Sequence, residues 1–321
     1  MLDVLLTNLL SPIVLAFALG ILASLARSDL EIPAPLYQAL SIYLLLAIGL
    51  KGGAALRATP LGEVIGPMLL TFALGVITPI TSYNVLRKLG KMDRVNAAAL
   101  AAHFGSVSAV TFIAAQAFGT LTGFESEGYM PALVAILEIP AIVVALMIAN
   151  VRGAMGEEAT WQSALHEVLT GRSIVLLGGG LAMGLLTGPE GLEPVAPFFV
   201  AGFKGALVLF LLELGLVTAR RLRDLKQAGW FLVAFSIVMP IIHGVGTVWL
   251  AGFVGMSIGG AAVLGAMVSS ASYIAAPAAV RIALPQASPT IYLTAALGIT
   301  FPFNLALGIP LYFAAAEYFL G

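Results

Sequence analysis

The chain contains no cysteine. That absence excludes a disulfide framework, a thiolate metal site and a cysteine nucleophile. Charge is almost as scarce: 10% of the 321 residues are charged, against roughly 25% in soluble domains. A surface wetted on all sides cannot be built from so few ionised groups. The three histidines, His103, His166 and His243, lie far apart in the chain and are a thin supply for a metal site. A net charge of −1 gives no sign of nucleic acid as a partner. No H-E-x-x-H string occurs. The chain therefore reads as a non-enzyme that needs no cofactor.

Apolar residues fill the gap: 60% of the chain is hydrophobic and the mean hydropathy is +1.04. A bilayer span needs about 20 mostly apolar residues. Ten segments meet or approach that length: 10–27, 35–56, 61–87, 95–119, 129–151, 172–188, 195–220, 228–253, 258–283 and 290–319. The N-terminal stretch carries Asp3 where a signal peptide would carry Lys or Arg, so the first segment is expected to stay in place.

Basic residues orient the spans. Loops after the odd-numbered spans hold Arg27, Arg87, Lys88, Lys91, Arg94, Arg152, Arg172, Arg220, Arg221, Arg223, Lys226 and Arg281. The other face holds only Lys51, Arg57 and Lys204. The first face is thus expected in the cytoplasm, with both termini on the outer face of a bacterial inner membrane.

The two halves resemble each other. AALAAHFGSVSAVTFIAA from Ala98 and AVLGAMVSSASYIAAPAA from Ala262 align Ser106 with Ser270 and Ser108 with Ser272. LLAIGLKGGAALR from Leu45 aligns with LLELGLVTARRLR from Leu211, pairing Gly49 with Gly215. Pro79 pairs with Pro240 at a similar offset. Five spans per half is an odd number, so the second half enters the membrane inverted, as in many secondary transporters. The expected fold is all-α: residues 1–151 form one five-helix repeat, 152–171 a cytoplasmic linker that could hold an interfacial helix, and 172–321 the inverted repeat.

In such folds the site lies where helices break near the midplane. Spans four and nine carry small, hydroxyl-rich centres. These give Gly105, Ser106, Ser108, Thr111, Ser269, Ser270, Ser272 and Tyr273 as candidate substrate-binding residues. Pro277 is expected to break span nine. Amides at a half-helix N-terminus attract anions, while freed carbonyls and hydroxyls suit Na⁺. A lone membrane serine commonly bonds back to its own helix, and small residues commonly serve packing. The recurrence of the cluster at one register of the repeat favours a site. Glu138 inside span five and Asn304 in span ten, with Ser108 and Ser272, are the candidate cation ligands. Glu213 reads equally as a structural partner of Lys204 or Lys51 and as a transport residue; His103 and His243 are expected to serve helix packing, and Gly178, Gly179 and Gly180 to permit close helix contact.

SPIVLAFALG, IGLKGGAALR, EIPAIVVALMIAN, PIIHG and GIPLYFA, taken in order with the two hydroxyl-rich centres, resemble the SbtA-type sodium-dependent bicarbonate transporters over nearly the whole chain. The resemblance implies crossed, discontinuous helices four and nine, a homotrimer, Na⁺-coupled bicarbonate uptake and a possible PII-like regulator on the cytoplasmic side. Two departures stand out. Glu138 replaces an Asp, and Tyr273 occupies the place of a span-nine Asp. The second removes a carboxylate from the expected cation site. Alternatives are therefore proton coupling, a different organic anion, or a non-transporting membrane sensor.

Overall fold

The computed structural model describes residues 9–151, 162, 166, 169–222 and 225–321. Asp3 and most of the expected linker, including Glu157, Glu158, Trp161 and Glu167, lie outside the described residues. The described residues form helices and no strand. In chain order these are α1 (Pro12–Leu25), α2 (Ala34–Ala58), α3 (Leu61–Lys88), α4 (Arg94–Gly105), α5 (Ala109–Thr122) and α6 (Met130–Val151). Then follow α7 (Arg172–Leu192), α8 (Phe203–Leu222), α9 (Leu225–Phe253), α10 (Ile258–Val268), α11 (Ala275–Ala283) and α12 (Pro289–Leu320).

Hydrocarbon offers no partner for peptide groups, which is why an apolar chain in a bilayer becomes helical. The helix starts use local side chains. Ser11 accepts from Val14 N at 3.3 Å, with Pro12 in the first turn, where its missing N–H costs nothing. Asp93 accepts from Asn96 N at 2.9 Å, and Ser257 from Gly260 N at 3.0 Å. The amide of Ser288 in turn donates to Asn96 Oδ1 at 2.8 Å, which ties the start of α4 to the start of α12.

Among the described residues, seven spans are long and apolar enough to cross a bilayer alone: α2, α3, α4 continued by α5, α6, α7, α9 and α12. The other three expected segments fall short for separate reasons. α1 has 14 residues, roughly 21 Å at 1.5 Å per residue. α8 carries Lys204, Glu213, Arg220 and Arg221 within its 20 residues. The span expected at 258–283 is cut into α10 and α11, of 11 and 9 residues.

Close helix packing uses glycine pairs. A Cβ on Gly49 would lie 2.9 Å from Gly180 Cα, and one on Gly53 would lie 2.9 Å from Gly184 Cα. These are two small-xxx-small motifs face to face, on α2 and α7. The same device joins α1 to α8, where a Cβ on Gly20 would lie 3.0 Å from Gly215 Cα. Of the expected packing triplet only Gly180 serves this contact; Gly178 and Gly179 face open space. Three consecutive helical residues point in three directions, so only one can meet α2.

Two substitutions on one helix test this packing. Gly184→Val should lower thermal stability in detergent by at least about 1–3 kcal/mol, the usual cost of overpacking. Gly178→Ala should be neutral or stabilising, since Ala is the better helix former by about 1 kcal/mol. Equal effects would show that the α2–α7 contact is not tight.

Asp93 supplies a pH signature. Burial raises its carboxyl pKa, but hydrogen bonds from Asn96 and from nearby backbone amides outweigh burial and hold it below the ordinary aspartate value. Its stabilisation is therefore present above the ordinary aspartate range and lost as pH falls through the depressed folded value. Asp93→Ala should cost about 1 kcal/mol at neutral pH. In acid melts the gap to wild type should close.

Candidate functional site

Both hydroxyl-rich centres are breaks in helix. α4 stops at Gly105; Ser106 (φ −89°, ψ 175°) and Ser108 (φ −93°, ψ 110°) are extended, and α5 restarts at Ala109. α10 stops at Val268, and α11 restarts at Ala275. The expectation that Pro277 makes the second break is not met. Pro277 is the third residue of α11, where a helix needs no amide. The break precedes it, across residues 269–274.

The breaks clasp each other. Ser108 N donates to Ser270 Oγ at 2.8 Å, and Ser272 N donates to the His103 carbonyl at 2.8 Å. Each restarting helix is capped from within its own break. Ser108 Oγ accepts from Thr111 N at 3.2 Å, and Ser272 Oγ accepts from Ala276 N at 3.3 Å. Ser270 Oγ also donates to Met267 O at 2.6 Å. Gly105 is pinned by proximity, because a Cβ there would lie 2.8 Å from Pro79 Cδ.

Several buried polar atoms remain unpaired. Ser106 Oγ, Thr111 Oγ1 and Tyr273 Oη have no hydrogen-bond partner. The Tyr273 ring meets Phe301 edge-on with centroids 5.7 Å apart. Ser108, Glu138, Ser173, Ser272 and Tyr273 line one cavity of about 10 Å³, roughly the space of a single water molecule. Apolar walls, among them Leu45 and Leu177, close it. Glu138 is 5% exposed.

Asn304 lies elsewhere. It sits in a π-helical turn of α12, Asn304–Gly308. Its Nδ2 donates to Ser269 O at 3.1 Å; its Oδ1 accepts from Tyr312 Oη at 3.1 Å and from Ser269 Oγ at 3.4 Å. Sequence reasoning placed Asn304 beside Glu138, but Asn304 is not among the walls of the Glu138 cavity. Its amide holds α12 against the end of α10. Sequence reasoning also missed Ser173, near the start of α7, because a single serine with no repeat mate carries no signal.

The remaining polar residues take structural contacts. His103 Nδ1 pairs with Ala99 O at 2.7 Å and its ring stacks on Tyr292 at 4.4 Å. His243 Nε2 pairs with Thr81 Oγ1 at 2.9 Å, linking α9 to α3. The expected pairing of Glu213 with Lys204 or Lys51 is not made. Glu213 is influenced by Arg220 and Glu31 instead, because nine helical residues separate it from Lys204, about 13 Å. Gly255-Met256-Ser257-Ile258-Gly259 spells a nucleophile-elbow string, but Ser257 caps α10, and the element before it is the helix α9, not a strand.

The chemistry of the centre is two-sided. α5 and α11 begin at the breaks, so their positive dipole ends favour an anion there. α4 and α10 end at the breaks, where carbonyl oxygens favour a cation. With the Glu138 carboxylate and neutral hydroxyls, the donor set suits a hard cation such as Na⁺. Among the described residues no group of three or more His, Asp or Glu stands ready for a metal.

The clasp separates structural from free hydroxyls. Ser270→Ala should strip the buried Ser108 amide of its acceptor and cost about 1–3 kcal/mol in a detergent melt. Ser106→Ala removes an unpaired hydroxyl and should leave stability unchanged or raised. The reverse order would contradict the hydrogen-bond assignment.

No curated protein matches the chain. A family model described as the Na⁺-dependent bicarbonate transporter superfamily matches residues 12–317. With apolar spans and two clasped helix breaks, the chain is a multi-pass membrane protein that belongs to the Na⁺-dependent bicarbonate transporter superfamily.

Proposed function

We propose that this protein is a secondary active transporter that couples inward Na⁺ movement to uptake of bicarbonate or a similar small anion by alternating access. The observation that carries this reading is the meeting of two helix breaks that carry the unpaired Ser106, Thr111 and Tyr273 hydroxyls, with the buried Glu138 beside them. Hydroxyls and half-helix amides hold the anion. Glu138, with Ser108 and Ser272, holds the cation. Each net charge carried inward is driven by about 2.3 kcal/mol per 100 mV.

The ten-span, inverted arrangement of residues 1–151 and 172–321 belongs to this proposal. It is supported by the exchanged glycine contacts: Gly49 meets Gly180, while its repeat mate Gly215 meets Gly20. The charge asymmetry supports a bacterial inner-membrane location with both termini outside. A homotrimer and a PII-like regulator follow from the family resemblance alone.

A second reading has one specific observation behind it. Tyr273 supplies no negative charge, so Glu138 is the sole acid on the cavity wall. A proton could replace Na⁺ there, and the cargo could be a different organic anion.

Proteoliposome uptake of labelled bicarbonate, driven by an inward Na⁺ or K⁺ gradient, decides between them. Na⁺-dependent uptake that Glu138→Gln abolishes is expected. Na⁺ should also raise the melting temperature of wild type but not of Glu138→Gln, because ligand binding to the folded state stabilises it. Uptake driven by a pH gradient without Na⁺ would favour the second reading. No uptake under either gradient, from folded protein, would sink the bicarbonate assignment.

A further inference from the structure

Two cavities adjoin on the face that carries few basic residues. One, of about 490 Å³, includes Ile48, Lys51, Gln116, Glu193 and Phe203. The other, of about 260 Å³, includes Lys51, Ile113, Gln116, Glu125 and Lys204. Lys51, Gln116 and Phe203 are common to both, so the two form one vestibule.

Its charges are unusual for this chain. Only Lys51, Arg57 and Lys204 are basic on that face. Arg57 is occupied: it donates to the carbonyls of Leu185 (3.3 Å) and Leu186. The other two line the vestibule, close enough to repel each other. Lys51 is half-buried, with its ammonium 5.3 Å from the centroid of the Phe203 ring. Among the described residues it has no carboxylate ion-pair partner. Glu125 and Glu193 are exposed members of the lining. Lys204 is exposed, so the repulsion falls on the half-buried Lys51, and a visiting anion relieves it.

The vestibule also lies in line with the inner cavity. On α2, Leu45 lines the inner cavity while Ile48 and Lys51 line the vestibule. On α5, Ala109 lines the inner cavity while Ile113 and Gln116 line the vestibule. Six to seven helical residues separate the two levels, roughly 10 Å.

We propose that the Lys51–Lys204 vestibule is an anion-collecting antechamber, in which Lys51 holds a small oxyanion of the bicarbonate class one step before the helix breaks. The inference rests on the transport reading above for its purpose, but not for the binding itself. Lys51 is a capture residue and Lys204 raises the local potential.

The test has two arms. In the first, Lys51 in purified wild-type protein is trinitrophenylated with trinitrobenzenesulfonate, its amine displacing sulfite from the ring, and followed by peptide mass spectrometry, with and without millimolar bicarbonate. Exposed Lys88 serves as internal reference. Bicarbonate should slow labelling of Lys51 and leave Lys88 unchanged; equal slowing of both overturns the proposal. In the second, Lys51→Gln should raise the KM for bicarbonate uptake roughly threefold to tenfold with kcat kept, the scale expected of electrostatic capture. Lys51→Arg should restore it, and an unchanged KM at low ionic strength overturns the proposal. Protection of Lys51 in a protein that moves no bicarbonate would leave the antechamber standing and remove the transport reading. If Lys51→Gln does not fold, wild-type labelling alone decides.

Discussion

The structure depends on the requirement that a backbone amide or carbonyl in hydrocarbon be paired inside the protein. Two helices are interrupted at the centre of the chain's apolar mass, and an isolated break there would strand several peptide groups. Each break relieves the other. The amide of Ser108 finds Ser270 Oγ and the amide of Ser272 finds the His103 carbonyl, both at 2.8 Å. Neither half can form its interruption alone. This mutual satisfaction makes a polar centre affordable in a chain with 10% charged residues.

Around the clasp, the helices approach through glycine. The α2–α7 and α1–α8 contacts bring Cα atoms close enough that no Cβ fits between them. Each joins a helix of one half to a helix of the other, so the halves interlock and are not separate lobes. Interlocking positions α2 to carry Leu45 at the inner cavity and Lys51 in the vestibule.

The repeat is imperfect where chemistry matters. Ser270 Oγ accepts the Ser108 amide, but its mate Ser106 has a buried hydroxyl with no partner, and Ser272 N turns to a backbone carbonyl. Glu138 has no acidic counterpart, since Asn304 is fully engaged by Ser269 and Tyr312. The unpaired oxygens are spread over both breaks: Ser106 and Thr111 in the first, and Tyr273, on the wall of the small cavity, in the second.

The sequence by itself determined the apolar, membrane-type character of the chain, the all-helical class and the two hydroxyl-rich centres at which the helices break. Apolar length, scarce charge and the repeated serines act through local physics: burial of peptide groups and capping of a restarted helix by its own Ser108 or Ser272. It misjudged Pro277, because a proline marks equally well a helix that breaks and one that begins. It could not tell which of Gly178, Gly179 and Gly180 meets α2, nor that Arg220 and Glu31 are the charges that act on Glu213, nor that Ser173 joins Glu138 and Tyr273 while Asn304 does not. Those facts belong to the tertiary structure alone. They depend on the relative rotation and depth of helices distant in the chain, and residue spacing within one helix carries no information about either.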